Sequence, residues 1–183
     1  MKKTADKLWR PDLGVNENVA RRLPKLAKKY FKSGHRALDK ERDWKDVHSF
    51  RLETKKFRYT LELFRPQYGP GLEKRIDELK HIQTLLGDAN DYVVTAGLLE
   101  PVAGSEPLRS RLAHKAETKV RELRSWWQEN LGTDAVERRW ILYFQRLGTQ
   151  TSAAKKALLS PKQPASHAVR SSRAPEKQPA TKR

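Results

Sequence analysis

The chain has 183 residues with 39 Lys+Arg against 22 Asp+Glu, a formal net charge of +17 and a pI near 10.2, a balance that points to a polyanionic partner. Cysteine is absent, which excludes disulfides, thiol nucleophiles and thiolate metal sites such as zinc fingers. No stretch approaches the roughly 18 to 20 apolar residues of a membrane span, and the opening MKKTADKLWRPD lacks an apolar signal core, so a cytoplasmic protein is expected.

Apolar residues recur at intervals of three and four rather than two, which predicts an all-α fold: a four-helix bundle with a short fifth helix. The first helix is expected from Asn16 or Asn18 to Leu38, with Pro24 either kinking it or sitting in its first turn. On it Lys25, Lys28, Lys32 and Arg36 fall within roughly 80° of arc, opposite Val19, Leu23, Leu26, Tyr30 and Leu38. A solvated surface would carry the same stripe.

The second helix is expected from Trp44 to Phe64, capped by Asp43 and closed before Pro66. His48, Arg51, Lys55 and Arg58 stand at i, i+3, i+7 and i+10 and cover about 80° of arc. Phe50, Phe57, Leu61 and Phe64 lie on one side of that row, and Leu52, Tyr59 and Leu63 on the other. A helix with two apolar sides is expected to be buried twice, with the cationic row lining a groove or cavity. Glu53 and Glu62 are placed to pair with Lys56 and Arg58.

Gly69, Pro70 and Gly71 make the next turn, and a third helix carries Leu72, Ile76, Leu79, Gln83 and Leu86 on one face, with Gly87 a place for a bend. After Pro101 and Gly104, Ser105 caps a fourth helix bearing Leu108, Leu112, Ala116, Val120, Leu123 and Trp127 that ends near Gly132. A fifth runs from Asp134 to about Leu147, with Asp134 and Glu137 in capping-box spacing, and stops at Gly148. Residues 1–149 thus form a helical domain, and residues 150–183, rich in Lys, Pro and Ala and without an aromatic residue, read as a disordered basic tail. Within the tail only Ala153 to Leu159 could form a turn or two of helix.

The row on the second helix carries the chemistry. Arg51 and Arg58 present planar forks to two phosphate oxygens each, Lys55 a mobile point charge, and protonated His48 a further donor. Asp88 and Asp91 lie on one helical face but lack the further oxygen ligands of a dedicated cation site, so the acids read as partners of the Arg/Lys helices, with Asn90 or Asp91 capping a continuing helix, and no metal or other cofactor is expected. No catalytic dyad or glycine-rich phosphate loop accompanies them, which favours a binding protein over an enzyme.

The run VHSFRLETKKFRYTLELF, residues 47–64, resembles the H-x-x-R-x-x-x-K-[KR]-x-R-Y helix of the CHAD family, an α-helical domain named for its histidine, with His48, Arg51, Lys55, Lys56, Arg58 and Tyr59 at the motif positions. A second run, LKHIQTLLGDANDYVV, is similar to that family's L-x-x-L-Q-x-x-L-G-x-x-N-D segment through Leu79, Ile82, Gln83, Leu86, Gly87, Asn90 and Asp91. The resemblance spans roughly residues 15 to 130. It implies a four-helix unit whose inward basic residues bind inorganic polyphosphate without chemistry on it; a cytoplasmic protein with that ligand could associate with polyphosphate granules or the nucleoid. The expected groove is lined by the first and second helices, with Lys25, Lys28, Lys32 and Arg36 joining the motif residues. Family members usually contain two such halves around one basic channel, whereas this chain carries one clear motif copy, so pairing of two chains is expected to rebuild the channel. The alternative is a nucleic-acid-binding helical protein that uses the basic tail and helix faces and stacks bases on aromatic rings. Against it, Trp44, Trp126, Trp127 and Trp140 fall where core packing accounts for them more simply.

Overall fold

The structure, a computed structural model, describes residues 9–39 and 43–159, with side chains described as far as Leu147. Among these residues there are six helices and no strand: α1 (Val15–Ala37), α2 (Trp44–Leu63), α3 (Arg65–Tyr68), α4 (Gly71–Leu98), α5 (Glu106–Asn130) and α6 (Asp134–Leu159). The all-α expectation holds.

Local chemistry sets the boundaries. The Gly14 N–H that opens α1 is bonded by Glu17 Oε2 at 2.9 Å, the reach-back that an acid at the third helical position makes. Asn18 lies inside the helix and is fully buried. Its amide nitrogen donates to the carbonyls of Arg10 and Leu13, and its oxygen accepts from the Arg10 N–H at 2.7 Å, folding residues 10–14 back onto α1. Pro24 is well past the first turn, within the helix. At α2 the Asp43 carboxylate accepts from the Lys45 N–H at 3.0 Å, as expected. Pro66 stops α2 and then opens α3, a single turn the sequence did not announce, where a missing N–H costs nothing. Gly69, at φ 66°, closes that turn in the left-handed region. Ser105 occupies the cap position of α5, yet its hydroxyl donates to the Leu99 carbonyl at 2.7 Å and closes the α4–α5 turn instead.

Two expectations are corrected. The last helix does not stop at Gly148 but runs on to Leu159, so it crosses the expected domain boundary at residue 149. A glycine ends a helix only where it turns left-handed; inside one it costs about 1 kcal/mol, and the Ala, Lys and Leu residues that follow are strong helix formers. Residues 160–183 of the expected tail lie outside the described residues. Second, α2 is buried once, not twice: Leu52, Tyr59 and Leu63 are 50%, 48% and 70% exposed, and only Val47, Phe50, Thr54, Phe57 and Leu61 are buried.

α1 packs along α6, α4 packs along α5, and α2 lies between α1 and α4. Rings from four helices meet at the centre. Trp127 of α5 reaches Tyr30, Phe31 and Phe50 at centroid distances of 6.0, 5.7 and 5.6 Å, while Trp140 and Phe144 of α6 close on Phe31 and Phe57. Trp44 and Trp126 pack partly buried against this cluster, so these four tryptophans do serve the core.

Candidate functional site

α2 presents opposite charges to its two neighbours. Toward α1 it offers acids: Asp46 pairs with Arg36 and Glu53 with Lys29, each at 3.0 Å. Burial pushes the Glu53 carboxyl up, but hydrogen bonds from Ser33 and Lys29 and the charges of Lys29 and Arg36 outweigh it, so it stays below the ordinary carboxylate range. Toward α4 it offers the cationic row. Arg58 Nε donates to Gln83 Oε1 at 2.7 Å, and the same guanidinium pairs with Glu62 and stacks 4.3 Å from the Tyr59 ring centroid. At the other end of the row, His48 Nδ1 meets Asn90 Oδ1 at 3.3 Å; with the amide oxygen as acceptor the proton sits on Nδ1, and Nε2 is left for another partner.

Between these two anchors lie Arg51, half-buried, and Lys55, exposed, and neither forms an ion pair with a described residue. Opposite them on α4, Gly87 stands between Gln83 and Asn90 on one helical stripe, and a Cβ added there would meet no atom within 4 Å. The groove floor is therefore open where the cations are unpaired. Neutral amides of α4 meet both ends of the row, Glu62 offsets the charge of Arg58, and the charges of Arg51 and Lys55 are left uncompensated by any described carboxylate.

The other expected site residues are placed differently. Lys56 lies on the far side of α2, where it lines a cavity of about 290 Å³ between α1 and α2 with Arg22, Lys29 and Glu53 among apolar walls. Glu53 pairs with Lys29 rather than Lys56. Lys25, Lys28 and Lys32 are exposed on the side of α1 turned away from the core, and Arg36 is engaged by Asp46. The α1 cations and the α2 row thus do not share one groove. The reason is electrostatic: the acids of α2 face the cations of α1, and the amides of α4 face the cations of α2. Asp88 lies 3.6 Å from Lys119 of α5, Asp91 is exposed, and no group of three metal-ligating side chains occurs among the described residues.

Gln83 and Asn90 were not among the expected site residues; one had been assigned to an apolar face and the other to a cap. Their signal was the second motif, whose polar positions meet the first motif across the groove. A family model for the CHAD domain matches residues 1–100, which takes in α1 to α4, including the α2 cations and the α4 amides that meet them. The match ends at Glu100, so α5 and α6 lie beyond it, short of the span the resemblance suggested. No curated protein and no solved structure matches the chain.

Proposed function

Because the chain belongs to the CHAD domain family, a family associated with polyphosphate, we propose that it binds inorganic polyphosphate along the α2 row, in the groove between α2 and α4, without catalysing its conversion. The observation that carries this reading is the pair Arg51 and Lys55, left without a carboxylate beside the open floor at Gly87. Ten residues of helix from His48 to Arg58 span about 15 Å, enough to line up several phosphates of an extended chain. Arg51 takes two oxygens at once, Lys55 adapts to position, and His48 and Arg58, fixed by the amides of α4, mark the ends. Tyr59 borders the slot; Lys56, together with Lys25, Lys28, Lys32 and Arg36 on α1, contributes to the attracting field rather than to contact. Affinity then comes from charge and counterion release, with no sequence to read.

The double variant R51A/K55A is expected to lose retention of long-chain polyphosphate while keeping its far-UV dichroism. The triple variant K25A/K28A/K32A should weaken binding only several-fold. Each phosphate contact removed should flatten the slope of log K against log salt by roughly 0.7, if the polyanion behaves as a single strand. Displacement of polyphosphate by duplex DNA or RNA at equal phosphate and fixed salt would overturn the reading in favour of a nucleic-acid binder. So would a deletion of residues 160–183 that costs as much affinity as R51A/K55A.

A further inference from the structure

The cavity between α1 and α2 lies behind the cationic row and has a chemistry of its own. It measures about 290 Å³, close to the lower end of small-molecule sites, about 300–1,000 Å³. Leu23 and Leu26 of α1 wall it on one side, and Phe57, Leu63 and Phe64 on the other. Packed interiors hold few voids larger than a water molecule, so an apolar space of this size between two helices is unusual. Leu63 is 70% exposed at its edge.

The mouth is held in place by hydrogen bonds. Residues 9–14 belong to no helix, yet Asn18, fully buried, fixes them on α1. Its side-chain oxygen accepts the Arg10 N–H and its amide nitrogen donates to the Arg10 carbonyl, each at 2.7 Å. The adjoining Trp9 is thereby set against the cavity, with its side chain 38% exposed.

Around these apolar walls cations are in excess. Arg22, Lys29 and Lys56 stand against one carboxylate, Glu53, which Lys29 and Ser33 already engage. The acids nearest in sequence are occupied elsewhere: Asp12 by Arg10, Glu17 by the Gly14 N–H, and Glu62 by Arg58. Arg22 and Lys56 form no ion pair and no side-chain hydrogen bond with a described residue. Polyphosphate could satisfy their charge, but it has nothing to place against Leu23, Leu26 or Phe57.

We propose that this cavity binds a short single-chain amphiphile with an anionic head, of which a medium-chain fatty acid is the simplest case. The chain lies between α1 and α2 beside the Trp9 ring, and the head is held at the mouth by the fork of Arg22 and the ammonium of Lys56. Burial of the chain supplies the affinity, and the two cations select the sign of the head. The inference rests on the α1–α2 cavity alone, not on what the groove between α2 and α4 binds.

Titration calorimetry of the full chain with decanoate tests it. One saturable site is expected, weaker for decanol and weaker still for decyltrimethylammonium. R22A/K56A should bind decanoate about tenfold less tightly, the loss of a charge-assisted contact, and decanol as before. T60W, which places a ring in the cavity, should bind neither. Decanoate brominated at its far end should quench tryptophan emission, and W9F should lose most of that quenching, because the cavity lining includes Trp9 and none of the other tryptophans. R51A/K55A should hold decanoate as the wild type does, so failure of the polyphosphate reading leaves this site intact. Four results would each overturn the inference: no saturable binding, equal affinity for the cationic head, many weak sites insensitive to T60W, or binding only to anionic vesicles. Binding that appears only after residues 1–8 are deleted would assign the cavity to that segment and overturn it as well.

Discussion

At Gly34 a single hydrogen decides how closely α1 approaches α5. A Cβ there would stand 2.6 Å from Trp127 Cζ2 and 3.1 Å from Phe50 Cζ, closer than side-chain atoms tolerate. The Trp127 ring cannot retreat, because Tyr30, Phe31, Phe50 and His35 surround it. Gly34→Ala would favour an isolated helix by about 1 kcal/mol. In this protein it is expected to destabilise by about 1–3 kcal/mol through overpacking, measured as a lower urea midpoint with an unchanged slope. Nothing in the sequence marks this glycine, since its role is set by a tryptophan more than ninety positions away. The same holds for Arg124, whose guanidinium donates to the carbonyls of Leu38 and Asp39 at 2.7 and 2.9 Å and so satisfies acceptors just past the end of α1.

Between elements, the ion pair of Lys29 with Glu53 fastens α1 to α2. Glu53 titrates below its ordinary value in the folded protein, so the stability it contributes is complete above the unfolded value of about 4.3 and is lost as pH falls through the lowered one. E53Q is expected to melt at a lower temperature than the wild type at neutral pH, and the two curves should converge on acidification; parallel curves would mean that the pair contributes nothing. On α2 the cap at Asp43 and the pairing of Arg58 with Glu62 were legible, whereas Glu53 found Lys29 of α1 rather than Lys56 of its own helix. Which neighbour meets which face was not legible, because a helical wheel fixes angles about one axis and says nothing of the other axes. That is why Leu52, Tyr59 and Leu63 were expected inside and stand in water, and why both ends of the cationic row meet α4 rather than α1. The extension of α6 past Gly148 was missed for a different reason: a glycine in sequence is ambiguous between a stop and a tolerated weak point.

Across the whole molecule, the family-matched residues 1–100 contain the cationic row and much of the core, but not the rings of α5 and α6 that complete that core. Trp127, Trp140 and Phe144, all in helices beyond Glu100, fill the space between Phe31, Phe50 and Phe57. Emptying one such aromatic position costs about 3–5 kcal/mol, and the stability of a whole domain is about 5–15 kcal/mol. A protein ending at Glu100 is therefore expected to keep some far-UV helical signal while losing its cooperative thermal transition and gaining dye-accessible apolar surface; a sharp transition in that fragment would show that the central ring cluster is dispensable. The stretch that announces kinship is thus shorter than the stretch able to stand by itself in water, and inheritance and folding draw their borders at different places along this one polypeptide.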